Sequence, residues 1–447
     1  RTGQDRTGQD RTGHGHGHGH KHGHKHGRNE GGRREQNEHM YHPLNRIRSS
    51  IRCTRYLPAA RIRTNPWRGK ATTAQPINQV PVIDIALLST ERRDEIVSQV
   101  CEACSAWGFF QIVNHGVPPE TIQSFRDHTE AFFELPLTVK DRIRRSSDNP
   151  RGFFDAEYTK RKRDWKQGLD FGITPGCRSV ASADFTVDGL PDDNSVHSNL
   201  DGFNRFPDED ELPGFRRAMW NYFTEMTKLA ESVSQVMALG IGVDKDFFND
   251  QLRDTHTSFL RLNYYPLWNE HVSNDSEKPL GISPHKDAGF LTLLLQDDGC
   301  HSLQVRNRFD NLWYTVEPIP GALTVNTGDM AQIWSNDKYY APEHRVLANS
   351  DTKRYSAPYF YNPGYETMVE PVPTCVDDTF PLAYSPVNWG YFRWQRFAGD
   401  FADFGTEIQI SDFTLKDQTL RQDARVTHQE EFRKKFDGGR TSLMASM

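Results

Sequence analysis

Two kinds of hydrophobic pattern divide the chain. The ordered part begins at "QVPVIDIALL", and from there apolar residues recur at helical spacing in three segments. The first follows a Ser-Thr pair and stops at Gly108, the second spans about Pro119 to Phe133, and the third spans about Pro213 to Leu239. The run "FFQIVNHG" lies between the first two as a strand. This pattern predicts a first half in which helices dominate.

The second half shows a different pattern. After residue 255, short runs rich in β-branched and aromatic residues alternate with turn residues, which is typical of an antiparallel sandwich or barrel. These runs are "SFLRLNYYP", "LTLLLQ", "SLQVR", "LWYTVEP", "ALTVNTGD", "HRVLA" and "RYSAPYFYNP". In the most apolar of them, Leu291, Leu293 and Leu295 alternate with Thr292 and Leu294. We interpret that run as a buried strand rather than a pocket lining, and we predict a mainly β fold with flanking helices.

The N-terminal segment has neither pattern. Residues 1–39 combine the repeat "RTGQDRTGQDRTG" with seven alternating histidines and too few apolar residues to offset the entropy of ordering, so disorder is predicted. The histidines could chelate a metal, but a low-complexity tail is the simpler interpretation. Residues 40–76 contain seven Arg, one Lys and no acidic residue. This composition fits either a basic linker or an organellar transit peptide.

Charge and composition narrow the class of protein. Residues 1–74 hold 16 Lys and Arg against 5 Asp and Glu, a surplus of +11, so the remainder must carry −17 to give the overall −6. An acidic main domain argues against nucleic acid as a partner, and no apolar run is long enough for a membrane span. Six scattered cysteines suit a reducing compartment, and the Cys101/Cys104 pair lies in a helical pattern as buried thiols. We expect a cytoplasmic protein, or a mitochondrial or plastid one if residues 40–76 act as a transit peptide.

The stretch "SPHKDAGFLTLLLQDD" places two metal-binding residue types at the start of an apolar run. His285 and Asp287 are two positions apart, so their side chains point to the same side of an extended chain. An imidazole and a carboxylate on one side are two of the three ligands of a two-histidine, one-carboxylate ferrous site. The downstream candidates for the third ligand are His301 and His344. His301 lies in a turn too close in sequence to cross a barrel, so we choose His344, at the start of another predicted strand.

Ten residues after His344, the triplet "RYS" adds Arg354 and Ser356 on one face of a strand. An arginine fork beside a hydroxyl suits a carboxylate at the closed end of a barrel. The pair His285 and Asp287 or the pair Arg354 and Ser356 would not be specific by itself. Their occurrence in this order within one β-rich region is specific. Together they indicate an acid that chelates iron at one end and pairs with arginine at the other.

At these residues the chain resembles the non-haem iron, 2-oxoglutarate-dependent dioxygenases of the isopenicillin N synthase type. The resemblance rests on "NYYP", "HKD", "NTGDMAQIWSND", "EHRV" and "RYSAPYFYNP", and on "PVIDIALL" and "WGFFQIVNHGVP" in the first half. It spans roughly residues 80–365. It implies a double-stranded β-helix, or jelly roll, with a helical N-terminal region packed outside.

The resemblance also implies an activity and a site. Oxidative decarboxylation of 2-oxoglutarate to succinate and CO2, with O2, would be coupled to hydroxylation, desaturation or cyclisation of a small organic metabolite, and ascorbate is expected to stimulate it. Ferrous iron would be held by His285, Asp287 and His344. The co-substrate 2-oxoglutarate would be held by Arg354 and Ser356, with Asn263 and Tyr265 nearby.

The resemblance suggests domain boundaries and a substrate mouth. The expected regions are a disordered tail at 1–39, a linker or transit peptide at 40–76, a helical N-terminal dioxygenase region at 77–205, the jelly-roll domain at 206–365 and a C-terminal extension at 366–447. The segment "RGFFDAEYTKRKRDWKQGLDFG" resembles the family segment that borders the substrate mouth. Its Phe153, Tyr158 and Phe171 are therefore candidates for substrate contact.

Several other residues are interpreted as structural. Gly328 in "NTGDM" is expected at a turn with positive φ. His115 in "VNHGVP" is expected beside a turn rather than as a fourth ligand. Near the C-terminus, Trp389, Phe392 and Phe397 fit a helix that packs rather than reacts.

Two alternative functions stay open at this point. In an oxidase of the isopenicillin N synthase type, which uses no 2-oxoglutarate, Arg354 and Ser356 would hold the carboxylate of the substrate itself. In an inactive metal-binding or scaffold protein, the same residues would bind a metal without catalysing a reaction. For the oxygenase we expect a monomer whose partners are a small-molecule substrate, 2-oxoglutarate and O2, with neither nucleic acid nor membrane.

Overall fold

The structure is a computed structural model, and the residues that it describes are 79–146, 149–160, 162–173, 200, 202–252, 255–268, 279–401 and 408–415. All of them belong to one unit, residues 62–447. The predictions for 1–39, for 40–76 and for most of the polar C-terminal end lie outside the described residues, as does the side chain of Phe397.

The described part contains seven α-helices and three short 3-10 helices. The three helical patterns of the sequence are confirmed as α1, α2 and α4. Gly108 follows the first of them at φ 65°, where a Cβ would lie 2.1 Å from the carbonyl oxygen of Tyr340. The α-helices are α1 (Arg93–Ala106), α2 (Pro119–Glu134), α3 (Leu137–Arg142), α4 (Phe215–Gly240), α5 (Phe247–Leu252), α6 (Asp329–Trp334) and α7 (Trp389–Phe401), and the 3-10 helices are Ile85–Ser89, Pro373–Cys375 and Ile410–Phe413.

Sixteen strands lie in the described part of the chain. They are β1 (Val82–Asp84), β2 (Phe109–Val113), β3 (Gly152–Phe154), β4 (Tyr158–Thr159), β5 (Lys162–Arg163), β6 (Gln167–Gly172), β7 (Phe259–Tyr265), β8 (Leu280–His285), β9 (Leu291–Gln296), β10 (Leu303–Arg306), β11 (Trp313–Thr315), β12 (Leu323–Thr327), β13 (His344–Leu347), β14 (Arg354–Tyr361), β15 (Met368–Val369) and β16 (Val387–Asn388).

Strands β7 to β14 form the jelly roll, because the chain alternates between two sheets as it passes through them, apart from the hairpin β10–β11, which lies within one sheet. The larger sheet has eight strands in the order β1-β2-β12-β9-β14-β7-β6-β3, and the smaller one has the order β11-β10-β13-β8. Neighbours within the roll are antiparallel. The predicted mainly β fold with flanking helices is confirmed.

The N-terminal region contains strands as well as helices, and β2 is the strand predicted from "FFQIVNHG". The region contributes β1 and β2 to one edge of the large sheet and β3 and β6 to the other edge. Strand β2 pairs with β12, and β6 pairs with β7. The sequence did not indicate β1, β3 and β6, nor the pairing of β2 with β12, because these strands are stabilised by partners distant in the chain.

The helices cover one face of the large sheet. Alternate residues of β9, namely Leu291, Leu293 and Leu295, belong to the same buried core as α1, α2 and α4. On the long helix α4, Thr227 shares a 2.8 Å hydrogen bond with the Tyr359 hydroxyl of β14. The other face of the sheet is therefore left to line the interior of the roll. No helix among the described residues is long and apolar enough to cross a bilayer.

The prediction for Gly328 is wrong in its conformation. Gly328 has φ −107° and precedes α6, so it does not need a left-handed backbone. A Cβ there would lie 2.3 Å from the Gly289 carbonyl oxygen and 2.9 Å from that of Asp287. Glycine is required at this position because the start of α6 packs directly on the loop that carries Asp287.

Candidate active site

Three predicted residues meet at one end of the jelly roll. His285 is the last residue of β8, His344 is the first of β13, and the two are register partners across these strands. The Oδ1 atom of Asp287 lies 3.8 Å from Nε2 of His285 and 3.6 Å from Nε2 of His344. One ligand atom from each residue lies within 4.8 Å of the others. This donor set, two imidazoles and one carboxylate with space beside them, fits ferrous iron with open coordination positions.

The backbone fixes how both imidazoles face the site. The Nδ1–H of His285 donates to the carbonyl oxygen of Ser283 at 2.8 Å, and that of His344 donates to Pro342 at 3.3 Å. Because a carbonyl oxygen can only accept, Nδ1 carries the proton in each ring and the Nε2 lone pair faces the site. Such hydrogen bonds orient metal-binding histidines and raise their basicity.

The carboxylate of Asp287 is oriented in the same way. Its Oδ2 accepts hydrogen bonds from Thr292 Oγ1 at 2.6 Å and from Asn326 Nδ2 at 2.7 Å. The other oxygen, Oδ1, faces the two histidines. The backbone carbonyl of Asp287 also accepts from the amide of Asp329, the first residue of α6, at 2.8 Å. The "NTGDM" motif thus supports the aspartate from both sides, a role that its sequence alone did not reveal.

Electrostatics favour the metal-binding protonation states. Burial, and next the neighbouring His344, lower the pKa of His285 to about 3, so its imidazole is neutral at physiological pH. Burial alone would raise the pKa of Asp287, but the two histidines and the hydrogen bonds from Thr292 and Asn326 outweigh it. The pKa of Asp287 therefore lies below its ordinary value, and the carboxylate is ionised.

The alternative third histidine lies elsewhere. His301 is exposed and pairs with Glu317 on the surface. His115, which was expected to be structural, lies beside its turn. Its Nδ1 accepts from the Val117 amide at 3.2 Å, and its Nε2 contacts the Gly321 carbonyl at 3.1 Å. Neither residue belongs to the triad that the structure brings together.

Arg354 lies at the inner end of the same cavity and is only 1% exposed. Its Nη1 donates to Ser356 Oγ at 3.1 Å, its Nη2 donates to Gln296 Oε1 at 3.2 Å, and the guanidinium lies 4.9 Å from the centre of the Tyr265 ring. Its Nε has no hydrogen-bond partner among the described residues, and no described carboxylate forms an ion pair with it. A buried cation without a counter-ion is costly, so this end of the cavity fits an anionic ligand.

Asn263 and Tyr265 lie where the sequence predicted them. Both line the cavity, on β7 beside Arg354 and Ser356 of β14. Asn263 is buried, and its Oδ1 has no partner among the described residues. The predicted co-substrate residues therefore share one surface, together with an unsatisfied polar atom.

The candidate substrate contacts are corrected in part. Tyr158 lines the cavity and is half exposed at its mouth. Phe153 and Phe171 do not line it. Phe153 lies in the core beside Phe132, and Phe171 packs edge-on against Trp220. The sequence could not separate these residues, because strand alternation sends neighbours to opposite faces and the register of β3 and β6 was unknown.

Thr292 and Leu294 also require a correction. Both line the cavity, whereas Leu291, Leu293 and Leu295 face the core. The run is thus a buried strand, as predicted, and also a pocket lining, which the prediction rejected. The alternation of side chains along a strand could have shown this, because Thr292 and Leu294 must face the side opposite to the three leucines.

One wall of the cavity is a network of paired charges that the sequence did not indicate. The Glu157 carboxylate accepts from Lys166 Nζ at 2.7 Å and from Arg261 Nη1 at 3.0 Å. Arg261 also makes two 2.7 Å hydrogen bonds to Asp170, and Lys166 lies 3.3 Å from Asp164. Burial would raise the pKa of Glu157, but the adjacent Arg and Lys cations outweigh it and lower the pKa. The charges in this wall are therefore mutually compensated.

The C-terminal extension also reaches the cavity. Trp389, Arg393 and Arg396 of α7 line it, while Phe392 lies in the core. Trp389 donates from its ring nitrogen to Thr257 Oγ1 at 2.9 Å. The packing role predicted for Trp389 and Phe392 is compatible with these contacts, but the two arginines were not identified from the sequence.

Comparison with known proteins agrees with this geometry. Residues 80–209 match the family described as non-haem dioxygenase in morphine synthesis N-terminal, and residues 256–363 match the 2OG-Fe(II) oxygenase superfamily. Jasmonate-induced oxygenase 2 of Arabidopsis thaliana is 33% identical over 343 residues, which are 76% of this chain and 84% of that protein. Gibberellin 20 oxidase 1 of the same plant is 30% identical over 343 residues, covering 75% and 84% of the two chains.

Solved structures give the same result. A crystal structure described as JOX2 in complex with 2OG, Fe and JA has a TM-score of 0.58 and 32% identity, covering 72% of this chain and 86% of that one. Neurospora crassa T7H in complex with alpha-KG, at 24% identity and a TM-score of 0.60, covers 72% of this chain and 98% of its own and supports the fold.

The fold and the site define a non-haem iron oxygenase. The chain belongs to the Fe(II)- and 2-oxoglutarate-dependent oxygenase superfamily. It is an enzyme that uses Fe(II) and 2-oxoglutarate to oxidise a small organic molecule, which confirms the predicted family, jelly-roll fold, enzyme class and main cofactors. Stimulation by ascorbate stays a prediction.

Proposed function

We propose that His285, Asp287 and His344 hold the catalytic iron, and that Arg354 and Ser356 hold the distal carboxylate of 2-oxoglutarate. Bound iron supplies the redox chemistry that couples oxidative decarboxylation of 2-oxoglutarate to oxidation of the substrate by O2. The observation that carries the assignment is the buried Arg354, whose guanidinium lies in the cavity of the triad without a carboxylate partner among the described residues. A dicarboxylic acid spanning the two ends would neutralise it.

The residues of the chain have separate tasks in this proposal. Ser283 and Pro342 orient the imidazoles through their carbonyls, and Thr292 and Asn326 hold the carboxylate. Asn263 and Tyr265 border the co-substrate on β7. Closure of the roll around the site limits access of water to the reacting groups.

Succinate formation tests this function directly. Purified protein is incubated with ferrous iron, ascorbate and 2-oxoglutarate, and succinate is measured with and without candidate substrates. We expect succinate that depends on both iron and 2-oxoglutarate. Substrate oxidation without any 2-oxoglutarate would instead support the oxidase of the isopenicillin N synthase type, with Arg354 holding the substrate.

The lining of the cavity favours a small organic anion as substrate. Among the described lining residues seven carry Lys or Arg side chains and two carry carboxylates, although residues 75–447 are acidic overall. Lys166 and Arg261 are compensated by the network of Glu157, and Arg354 is assigned to 2-oxoglutarate. Lys160 and Lys286 place further positive charge at the lining, while Phe109, Ile282 and Val346 offer apolar contact. The solved complex of JOX2 also holds JA in addition to 2OG and Fe.

Paired substrates test the charge preference. A set of small amphipathic carboxylic acids and their methyl esters is compared by succinate release above the background without substrate. We expect the acids to stimulate more than the esters, and we expect Lys286→Gln to reduce that difference. Equal stimulation by acid and ester would contradict the proposed preference for an anion.

The remaining expectations are part of the same proposal. We propose a monomer that needs neither nucleic acid nor a membrane surface, and the acidic charge of residues 75–447 argues against nucleic acid. We keep residues 206–365 as the catalytic region, with 77–205 and 366–447 as flanking regions. Light scattering after size exclusion measures the oligomeric state, and a fluorescent fusion at the C-terminus distinguishes the cytoplasmic from the organellar alternative.

A further inference from the structure

Gln296 lies in a row of polar side chains that crosses three strands of the large sheet. In the register of β7, β14 and β9, Ser356 pairs with Asn263 on one side and with Gln296 on the other. Side chains that are direct neighbours across strands point to the same face, so Gln296 faces the same way as the two predicted co-substrate residues. Arg354, two positions before Ser356, faces that way as well.

The amide orientation of Gln296 is determined by Arg354. Its Oε1 accepts from Arg354 Nη2 at 3.2 Å. The opposite orientation would place two N–H donors against each other, since arginine has no acceptor. The Nε2 of Gln296 is therefore a fixed donor, and it is buried without a partner among the described residues. Together with the Nε of Arg354, this leaves two buried, unused donors beside one guanidinium.

The backbone around Gln296 is held firmly. Its carbonyl oxygen accepts from Arg126 Nη2 at 2.9 Å, and the next residue, Asp297, accepts from the Tyr355 amide at 2.6 Å and from Arg126 Nη1 at 3.2 Å. The end of β9 is thereby tied to β14 and to helix α2. A side chain in this position can act as a rigid support for Arg354.

A second cavity lies behind this support. It is lined by Gln296, Ser356, Tyr355 and Arg126, among others, and Ser356 also lines the cavity of the triad. Ser356 thus separates the two cavities, and Gln296, its register partner on β9, lines the second cavity beside it. Shortening the Gln296 side chain would open space next to the closed end of the co-substrate site.

We propose that Gln296 is a positioning residue for the distal carboxylate of 2-oxoglutarate and limits the length of the 2-oxo diacid that fits. Its Oε1 holds the fork of Arg354, its Nε2 donates to the carboxylate, and its bulk closes the cavity. This inference rests on the proposed function, because it assumes that Arg354 binds the co-substrate.

The test compares two 2-oxo acids on Gln296→Leu. Anaerobic titration of the iron-loaded protein, followed by the charge-transfer absorbance of the chelate, gives the affinity for 2-oxoglutarate and for 2-oxobutyrate, which lacks the distal carboxylate. We expect the affinity for 2-oxoglutarate to fall by about tenfold, as for the loss of a hydrogen bond to a charged group. The affinity for 2-oxobutyrate should not change. Equal loss for both acids, or no loss for 2-oxoglutarate, would overturn the proposal.

Gln304→Leu is a matched control. The Oε1 of Gln304 accepts from Arg345 Nε at 2.9 Å on the smaller sheet, so the substitution breaks a similar glutamine–arginine pair outside the cavity. It should leave both titrations as in the wild type. If Gln296→Leu does not fold, Gln296→Asn keeps the amide and shortens the side chain. That variant should raise the turnover of 2-oxoadipate relative to 2-oxoglutarate, and an unchanged ratio would contradict the length selection.

Arg354→Ala separates this inference from the proposed function. If Arg354→Ala weakens 2-oxoglutarate binding and Gln296→Leu does not, only the role of Gln296 is wrong. If neither substitution changes 2-oxoglutarate binding, the assignment of the anchor itself is wrong.

Discussion

The two ends of the active-site cavity are built in different ways. At the metal end, the polar atoms that do not face the iron position have protein partners: Ser283 and Pro342 for the histidines, and Thr292 and Asn326 for the aspartate. At the anchor end, Gln296 Nε2 and Arg354 Nε are buried donors without a partner among the described residues. At the metal end, the protein therefore already supplies the supporting hydrogen bonds of all three side chains. A carboxylate bound at the anchor end, as proposed, would satisfy both donors.

The largest expected effect is the loss of the metal end. Asp287→Ala or His344→Ala removes one of three ligands, so ferrous affinity should fall by roughly 100-fold or more, beyond the loss known for residues that only support a ligand. Iron binding by equilibrium dialysis and succinate formation measure this. His301→Ala is the control and should retain both. Normal succinate formation by either ligand variant would refute the iron assignment.

Loss of the anchor should leave iron in place. Arg354→Ala leaves a carboxylate without its bidentate partner in a buried site, which costs about 2–5 kcal/mol. The affinity for 2-oxoglutarate should therefore fall by roughly 30-fold or more. Arg354→Lys keeps the charge but loses the fork, so it should lose less. A parallel loss of iron affinity would contradict the separation of the two ends.

A smaller effect is expected from the support of the metal end. Thr292→Val removes the 2.6 Å hydrogen bond to Asp287 but keeps the shape of the side chain. Iron affinity should fall by about tenfold, the lower end of the range for such support, because Asn326 still holds the carboxylate. The affinity for 2-oxoglutarate in the iron-saturated protein should stay unchanged. Wild-type iron affinity would show that Asn326 alone is sufficient.

The smallest effect concerns pH and the protein without iron. Burial, followed by His344, lowers the pKa of His285 to about 3, and burial lowers the pKa of His256 to about 4. Each imidazole binds its proton more readily in the unfolded chain, so stability is full above about pH 6.5 and declines as the pH falls towards these values. Each should contribute a slope of at most about 1.4 kcal/mol per pH unit in the free energy of unfolding.

Urea unfolding between pH 7 and pH 5 measures this slope. His256→Phe should reduce this slope, because it removes one of the two groups that bind a proton only in the unfolded chain. A stability that does not change over this range would contradict the buried, neutral histidines.

The same contrast explains what the sequence could predict. The metal end depends on two residues that are close in sequence, His285 at the end of β8 and Asp287 in the loop after it, so their spacing alone could identify them. Gln296 could not be identified this way, since its role depends on the register of β9 against β14. Phe153 and Phe171 were misassigned for the same reason, because composition marks a segment near the mouth but not the side chains that face it. For Gly328 the wrong backbone conformation was predicted. A glycine can be required by positive φ or by close packing, and the sequence does not distinguish the two.

The strands that the N-terminal region adds to the large sheet have a consequence for folding. Strand β2 has β1 on one side, but its other partner is β12, where Phe110 pairs with Val325. A nascent chain must therefore keep an edge of β2 open until most of the protein has left the ribosome. Pairings this distant in sequence make folding slow, and open apolar strand edges invite aggregation. The two segments matched to oxygenase families are therefore halves of one cooperative folding unit, and a fragment ending between them would expose sheet edges on both sides of the cut.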